Sequence, residues 1–375
     1  MQHNRIGRLI FMTVLLAVLI WMIASPDRKV SERENRSLRS FPELSFQNVM
    51  SGRFMSEFES YLTDQFPARD QCMELKSTAE SLAGNRKVAD VYIASDGYLI
   101  QEESGYKEEK LNSLVKSIDD YAKRNPDRKC TLMLVPNATS ILEDHLPYGA
   151  TGNQDHTIAL VGSQLEHCKL LDVSGEFREL AKAGEEQLYY RTDHHWTTDA
   201  AYHALTAYER AMGVEVSRQD FLFLTVSEHF QGTLATNSGI FSEEDTVRIM
   251  VPPDPANLYV ANFVNETEKR STLFDRSALE EKDKYQVFFG GNYAQINITT
   301  NAGSGRSILI IKDSYANCMI PAMTDLYDRI TVVDPRYYYG DIDFLTTTGD
   351  YDEVLFLYNV NTFVTDISLE DVLEK

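Results

Sequence analysis

Cysteine is scarce in this chain: Cys72, Cys130, Cys168 and Cys318 are the four among 375 residues, and no two form a CxxC pair. That excludes the common zinc patterns. Cys130, Cys168 and Cys318 lie in apolar runs and read as small core residues rather than disulfide partners. Positive charge is also short, with 36 Lys and Arg against 57 Asp and Glu, a formal net charge of −21. A phosphate backbone would be repelled by such a chain, so nucleic acid is not an expected partner. No stretch repeats and none is of low complexity. What remains is ordinary globular material: 43% hydrophobic residues, enough for one large domain or two modest ones with a sizeable core.

The longest apolar run is at the N-terminus, LIFMTVLLAVLIWMIA from Leu9 to Ala24. As a helix its sixteen residues reach about 24 Å, against roughly 30 Å of hydrocarbon, and Ile6, Gly7 and a snorkelling Arg8 can extend it. The competing reading is a cleaved signal peptide with Arg5 and Arg8 as its basic start. MIASPDRK is a poor A-x-A cleavage site, so an uncleaved single-pass transmembrane helix over 1–25 is the expectation. Five Lys/Arg residues follow the run by Arg39 and two precede it, a count that disfavours export. A basic start before the first apolar segment is nevertheless how export signals begin, and long domains translocate despite nearby charge. The domain is therefore placed outside the cytoplasm. Residues 26–50, polar and punctuated by proline, read as a linker to a domain over 51–375.

Within that domain Phe54, Phe58, Tyr61 and Leu62 have helical spacing, broken at Pro67, and VADVYIASDGYLIQ reads as a hairpin turning at Asp96-Gly97. Leu111, Leu114, Val115, Ile118, Tyr121 and Ala122 share one face of a predicted helix. Five short apolar runs follow: CTLMLVPN (130–137), CKLLDV (168–173), SILIIKDS (307–314), ITVVDP (330–335) and EVLFLYN (353–359). Strands of a parallel sheet covered on both faces look like this, and the segments between supply crossover helices. The predicted fold is an α/β/α sandwich with a mostly parallel sheet. The mixed stretch 213–300 adds loops and extra strands.

Sites in open parallel sheets form at the carboxyl ends of strands. Two polar groups are expected there. Asp193-His194-His195-Trp196 ends the run QLYY and precedes a helix beginning near Thr197 or Thr198. Asp313-Ser314 ends SILIIK and precedes a helix expected over YANCMIPAM. A serine at such a turn exposes its hydroxyl, and its own N–H can meet an oxyanion. Asp313 or Ser314 equally suits a plain helix N-cap. Asp193, His194 and a further carboxylate also suit a metal, as in the manganese phosphoesterases named for DHH, but no matching cluster of aspartates precedes residue 193. No metal or cofactor is expected.

TDHHWT with a later strand, KDS and helix resembles the DHHW protein family, relatives of the alginate O-acetyltransferases with an SGNH-hydrolase-like fold. ENRSLRSFPELS (34–45), FESYLTDQFPARD (58–70) and ASDGYLIQ (94–101) are similar to its N-terminal pattern, and GGNYAQINI (290–298) and VVDPRYYYGD (332–341) to its later blocks. The resemblance runs from about residue 30 to the C-terminus. It implies a Ser-His-Asp triad with Ser314 as nucleophile, His195 as general base and Asp193 as the carboxylate that orients it. Residues two apart in an extended segment point the same way, which suits Asp193 and His195 and turns His194 elsewhere. Asn292, His194, Trp196 and Arg336 are candidates for oxyanion or substrate contacts, Asn292 being equally suited to a turn in GGN. Lys312 stands where hydrolytic relatives carry the glycine of GDS. The implied activity is O-acetyl transfer onto a cell-envelope polysaccharide, with a multi-pass membrane-bound O-acyltransferase as donor partner, since nothing resembles a coenzyme A site. The alternatives are an esterase with the same triad and a catalytically idle glycan-binding or assembly protein.

Overall fold

Alternation along the predicted strands sorts their side chains into two separate cores. In the computed structural model, which describes residues 2–31, 36–254 and 256–374, the strands of the main sheet are β1 (Lys129–Val135), β2 (Lys169–Asp172), β3 (Tyr259–Phe263), β4 (Glu268–Arg270), β5 (Gln295–Thr300), β6 (Ser307–Lys312), β7 (Arg329–Val333) and β8 (Glu353–Asn359). Met133, Val135, Ile308, Ile310, Leu355 and Leu357 enter one core. Leu132, Leu134, Leu309, Ile311, Val354 and Phe356 enter the other. Successive side chains of a strand point to opposite faces, so both faces of this sheet are covered. The helix Glu108–Arg124 closes the second face with the side chains its spacing predicted, Leu111, Leu114, Val115, Ile118 and Tyr121.

The order across the sheet is β4-β3-β5-β7-β6-β8-β1-β2. All five predicted runs are strands, and β7, β6, β8, β1 and β2 are mutually parallel. From β7 outward the pairing turns antiparallel through β5, β3 and β4, the extra strands expected in 213–300. The chain divides into two compact units, 86–235 with 241–375, holding this sheet, and 1–85 with 236–240. Residues 51–85, grouped with the α/β domain in the sequence, fall in the second of these.

In the smaller unit, Gln2–Ala24 is one helix, and Leu9, Ile10, Phe11, Leu15, Leu16, Ile20 and Trp21 along it are exposed. Among the described residues no helix is long and apolar enough to cross a membrane. The helix Arg53–Asp64 stops before Pro67 as expected, and Phe41 packs edge-on against its Phe54, Phe58 and Tyr61. Of the expected linker and the block 34–45, residues 32–35 lie outside the described residues. The rest is tied to the end of this helix: Gln65 Nε2 donates to the carbonyls of Arg28 and Arg39, and the Arg39 N–H to Asp64.

Two local expectations are corrected. The run Gln187–Tyr190 is no sheet strand; Tyr189 and Trp196 form a lone antiparallel bridge, and residues 191–195 are the loop between them. The segment after Ser314 is not an α-helix but two 3-10 turns, Ser314–Cys318 and Ile320–Asp325. Pro321 has no N–H to donate, and its ring would crowd the carbonyl four residues earlier.

Candidate active site

Strand β6 leads into Asp313-Ser314, and Asp313 is the cap of the turn that follows. Its carboxylate accepts from the Tyr315 N–H at 2.9 Å and from the N–H and side-chain amide of Asn359, at the end of neighbouring β8, at 2.9 and 2.6 Å. Burial pushes this carboxyl up to about 6. Ser314 is thereby left with its hydroxyl uncommitted to the backbone. Its Oγ lies 2.8 Å from His195 Nε2.

His195 is delivered from the bridge loop. Its Nδ1 is 2.6 Å from Asp193 Oδ1, which also accepts the His195 backbone N–H at 3.0 Å. The second oxygen, Oδ2, accepts from the Thr233 N–H at 2.8 Å and its hydroxyl at 3.0 Å. Asp193 is 3% exposed. Burial opposes its charge, but the imidazoles of His194 and His195 and the Thr233 bonds outweigh it and hold the carboxyl far below its usual range. The line Asp193–His195–Ser314 is therefore connected by hydrogen bonds from end to end. An imidazole so placed can accept the serine proton while the carboxylate fixes its tautomer.

Aromatic side chains hold both halves of the line. Tyr285 stacks on the His195 ring at 3.8 Å between centroids, and its hydroxyl donates to the Ser314 carbonyl at 3.0 Å. Trp196 is fully buried, and its indole N–H donates to the Tyr315 carbonyl at 2.8 Å. As a substrate-binding candidate Trp196 is thus corrected: it pins the serine turn from inside. The Tyr315 hydroxyl returns to the His194 carbonyl.

His194 does not turn away as alternation predicted, because residues 191–195 are bent rather than extended: its ring lies 3.9 Å from that of His195 between centroids. Its Nδ1 is 2.7 Å from the Thr233 hydroxyl, which donates to Asp193 and so accepts from His194. Burial and the neighbouring His195 hold His194 below the ordinary imidazole range. Asp193, His194 and His195 offer metal-ligating atoms within 4.8 Å of one another. Both oxygens of Asp193, both nitrogens of His195 and Nδ1 of His194 are already spent in hydrogen bonds, so this donor set does not suit a cation.

Asn292 Oδ1 accepts from Lys312 Nζ at 2.9 Å and from Asn317 Nδ2 at 3.1 Å. Lys312 and Asn317 flank the serine turn, which places Asn292 against it. Arg336 grips Asp334 through two nitrogens, at 2.8 and 2.6 Å, with its side chain one-third exposed. Gly232, Thr233 and Tyr285, which lie between β2 and β5, belong to no motif that the sequence analysis singled out.

The site thus joins a serine turn at the end of a central parallel strand to an Asp-x-His loop folded onto it, in a mixed α/β domain. The family model described as DHHW protein matches residues 128–333, and the chain belongs to that family. Among solved structures, a DHHW family protein from Eubacterium siraeum aligns at 22% identity and TM-score 0.64, covering 76% of this chain and 94% of its own. Bacillus cereus PatB1, in a structure with a sulfonyl adduct, aligns at 17% identity and TM-score 0.64, covering 75% and 99%. The O-acetyltransferase domain of Pseudomonas putida AlgJ aligns at 14% identity and TM-score 0.46, covering 76% and 98%. A comparison with curated proteins finds no match to the sequence.

Proposed function

We propose that this protein is an O-acetyltransferase that modifies a cell-envelope polysaccharide through an acyl-serine on Ser314. The observation that carries the proposal is the continuous line from Asp193 Oδ1 through both nitrogens of His195 to Ser314 Oγ, at 2.6 and 2.8 Å. In the first half-reaction His195 takes the Ser314 proton as Oγ attacks the acyl carbon of a donor ester. The oxyanion meets the Ser314 N–H, which as the first of its 3-10 turn has no acceptor inside that turn, and the Asn292 amide. Collapse expels the donor alcohol, which leaves with the proton from His195. In the second, a polysaccharide hydroxyl gives its proton to His195 and attacks the acyl-serine; collapse releases the acetyl ester while Ser314 Oγ takes that proton back from His195, regenerating both residues. Water in place of the sugar hydroxyl makes the same residues an esterase. The PatB1 structure is described with a sulfonyl adduct, the kind of modification an activated serine accepts.

Exposed apolar side chains along the helix Gln2–Ala24 suit a lipid surface and support a membrane-associated reading, although the helix is not long and apolar enough to cross a membrane. In this reading the SGNH-like domain works outside the cytoplasm with an integral-membrane O-acyltransferase as donor partner. The test compares surface-polysaccharide acetylation in cells carrying wild type or Ser314→Ala. The variant should fold with an unchanged melting temperature and leave the polysaccharide unacetylated. Normal acetylation in that strain would end the proposal, and acetyl groups that increase in the variant would assign hydrolysis instead.

A further inference from the structure

The residue that stands where hydrolytic relatives carry a glycine is engaged in the site. Lys312 is 1% exposed, and its ammonium lies 2.9 Å from Asn292 Oδ1 and 3.2 Å from Asp334 Oδ2. An ammonium only donates, so Asn292 must face it with oxygen, and Asn317 donates to the same oxygen at 3.1 Å. Turning the Asn292 amide over would break both bonds and set donors against donors. Its NH2 group is therefore fixed on the side away from Lys312, where no described residue accepts from it. Buried ion pairs are weak contributors to stability, and an apolar residue of similar volume serves a core as well. A charge kept here has geometry as its rationale.

We propose that Lys312 is a positioning residue that holds the Asn292 amide as an oxyanion donor beside Ser314, with Asp334 balancing its charge. The role rests on the acyl-serine reading. Turnover of p-nitrophenyl acetate would be measured for wild type, Asn292→Ala, Lys312→Met and the double variant, with Ser314→Ala as the blank. Each single change should lower kcat about tenfold to a thousandfold with KM little altered. The double variant should be no slower than Asn292→Ala alone, because Lys312 acts through Asn292. If Lys312→Met does not fold, Lys312→Gln, which can still donate to Asn292, serves in its place and should keep most of the turnover. Ser314-dependent turnover that survives Lys312→Met, or a second full loss in the double variant, overturns the positioning role alone. Turnover that survives Ser314→Ala overturns the acyl-serine reading and this role with it.

A separate observation concerns the cysteines. Thr131 pairs with Lys169 across β1 and β2, so Cys130 and Cys168, one position earlier, face each other at the start of the ladder. Their sulfurs are 3.3 Å apart and both residues are buried. Neighbouring strands lie about 4.8 Å apart, within the span a disulfide bridges. We infer that Cys130 and Cys168 form a disulfide when the chain folds in an oxidising compartment. One thiolate attacks a small-molecule or oxidoreductase disulfide, releasing one thiol, and the second displaces the other from the mixed disulfide. The two protein thiols are oxidised and the donor disulfide is reduced to two thiols. The full chain, refolded in a glutathione redox buffer and alkylated, would be peptide-mapped without reduction. A linked Cys130–Cys168 peptide is expected, with Cys72 and Cys318 alkylated. Recovery of alkylated Cys130 and Cys168 from folded protein in oxidising buffer would overturn the inference.

Discussion

Gly232→Ala is the most searching small change available, because it adds one methyl group outside the Asp193–His195–Ser314 line. A Cβ at this position would stand 2.3 Å from both Cβ and Oδ2 of Asp193. Carbon contacts relax only beyond about 3.5 Å, so roughly 1 Å of movement is required. Asp193 cannot swing aside freely, since Oδ2 is bonded to Thr233 and Oδ1 to His195. Moving the carboxylate by that much takes the 2.6 Å bond to His195 outside hydrogen-bond range. A charge-assisted bond of this kind contributes about 1.5–3 kcal/mol, or roughly ten- to a hundredfold in rate. Overpacking should cost the fold about 1–3 kcal/mol as well. The assay is kcat/KM on a model acetyl ester beside a thermal melt, repeated in an Asp193→Ala background where the methyl group should cost no further activity. Full turnover by folded Gly232→Ala protein would refute the reasoning, as would an equal loss in both backgrounds.

Three further outcomes are expected. Burial raises the folded Asp313 carboxyl from 3.8 to about 6, so its contribution to stability is fully present below about pH 4 and lost as pH rises through 6. The stability difference between wild type and Asp313→Asn should move against wild type by up to about 3 kcal/mol across that window in urea titrations, and a flat difference would contradict it. Arg306 bonds Glu209 at 2.6 Å and Glu353 at 2.9 Å, both carboxylates buried, so Arg306→Met should cost about 3–5 kcal/mol by denaturant unfolding. Tyr285→Phe keeps the stack on His195 but loses the bond to the Ser314 carbonyl, and should lower stability by about 1 kcal/mol in the same assay.

The parts of this fold that were legible in the sequence are those set by local pattern. Ile308 to Ile311 alternate between two cores, and a strand with both faces covered has no choice but an unbroken apolar run. Asp193, His195 and Ser314 were singled out through the resemblance of TDHHWT and KDS to the DHHW family, and the fold brings His195 and Ser314 together across 119 positions. What tertiary contact decides was hidden. Trp196 looked like a surface for substrate, yet it is enclosed because its N–H has a carbonyl to satisfy on the serine turn. Gly232 and Thr233 lie where the strand Leu222–Phe230 gives way to the short helix Thr233–Ser238, and only the folded chain brings them to Asp193. The turn after Ser314 read as a helix because its composition is helical, and the single Pro321 decided otherwise.

The central claim is that Ser314 carries the acyl group. Wild-type protein mixed with a model acetyl donor and quenched in acid should yield, by peptide mass spectrometry, one acetyl group on the peptide containing Ser314. The same peptide from His195→Ala should remain unmodified. Steady turnover of the donor with Ser314 never acetylated, or with the acetyl group on another residue, would contradict the account.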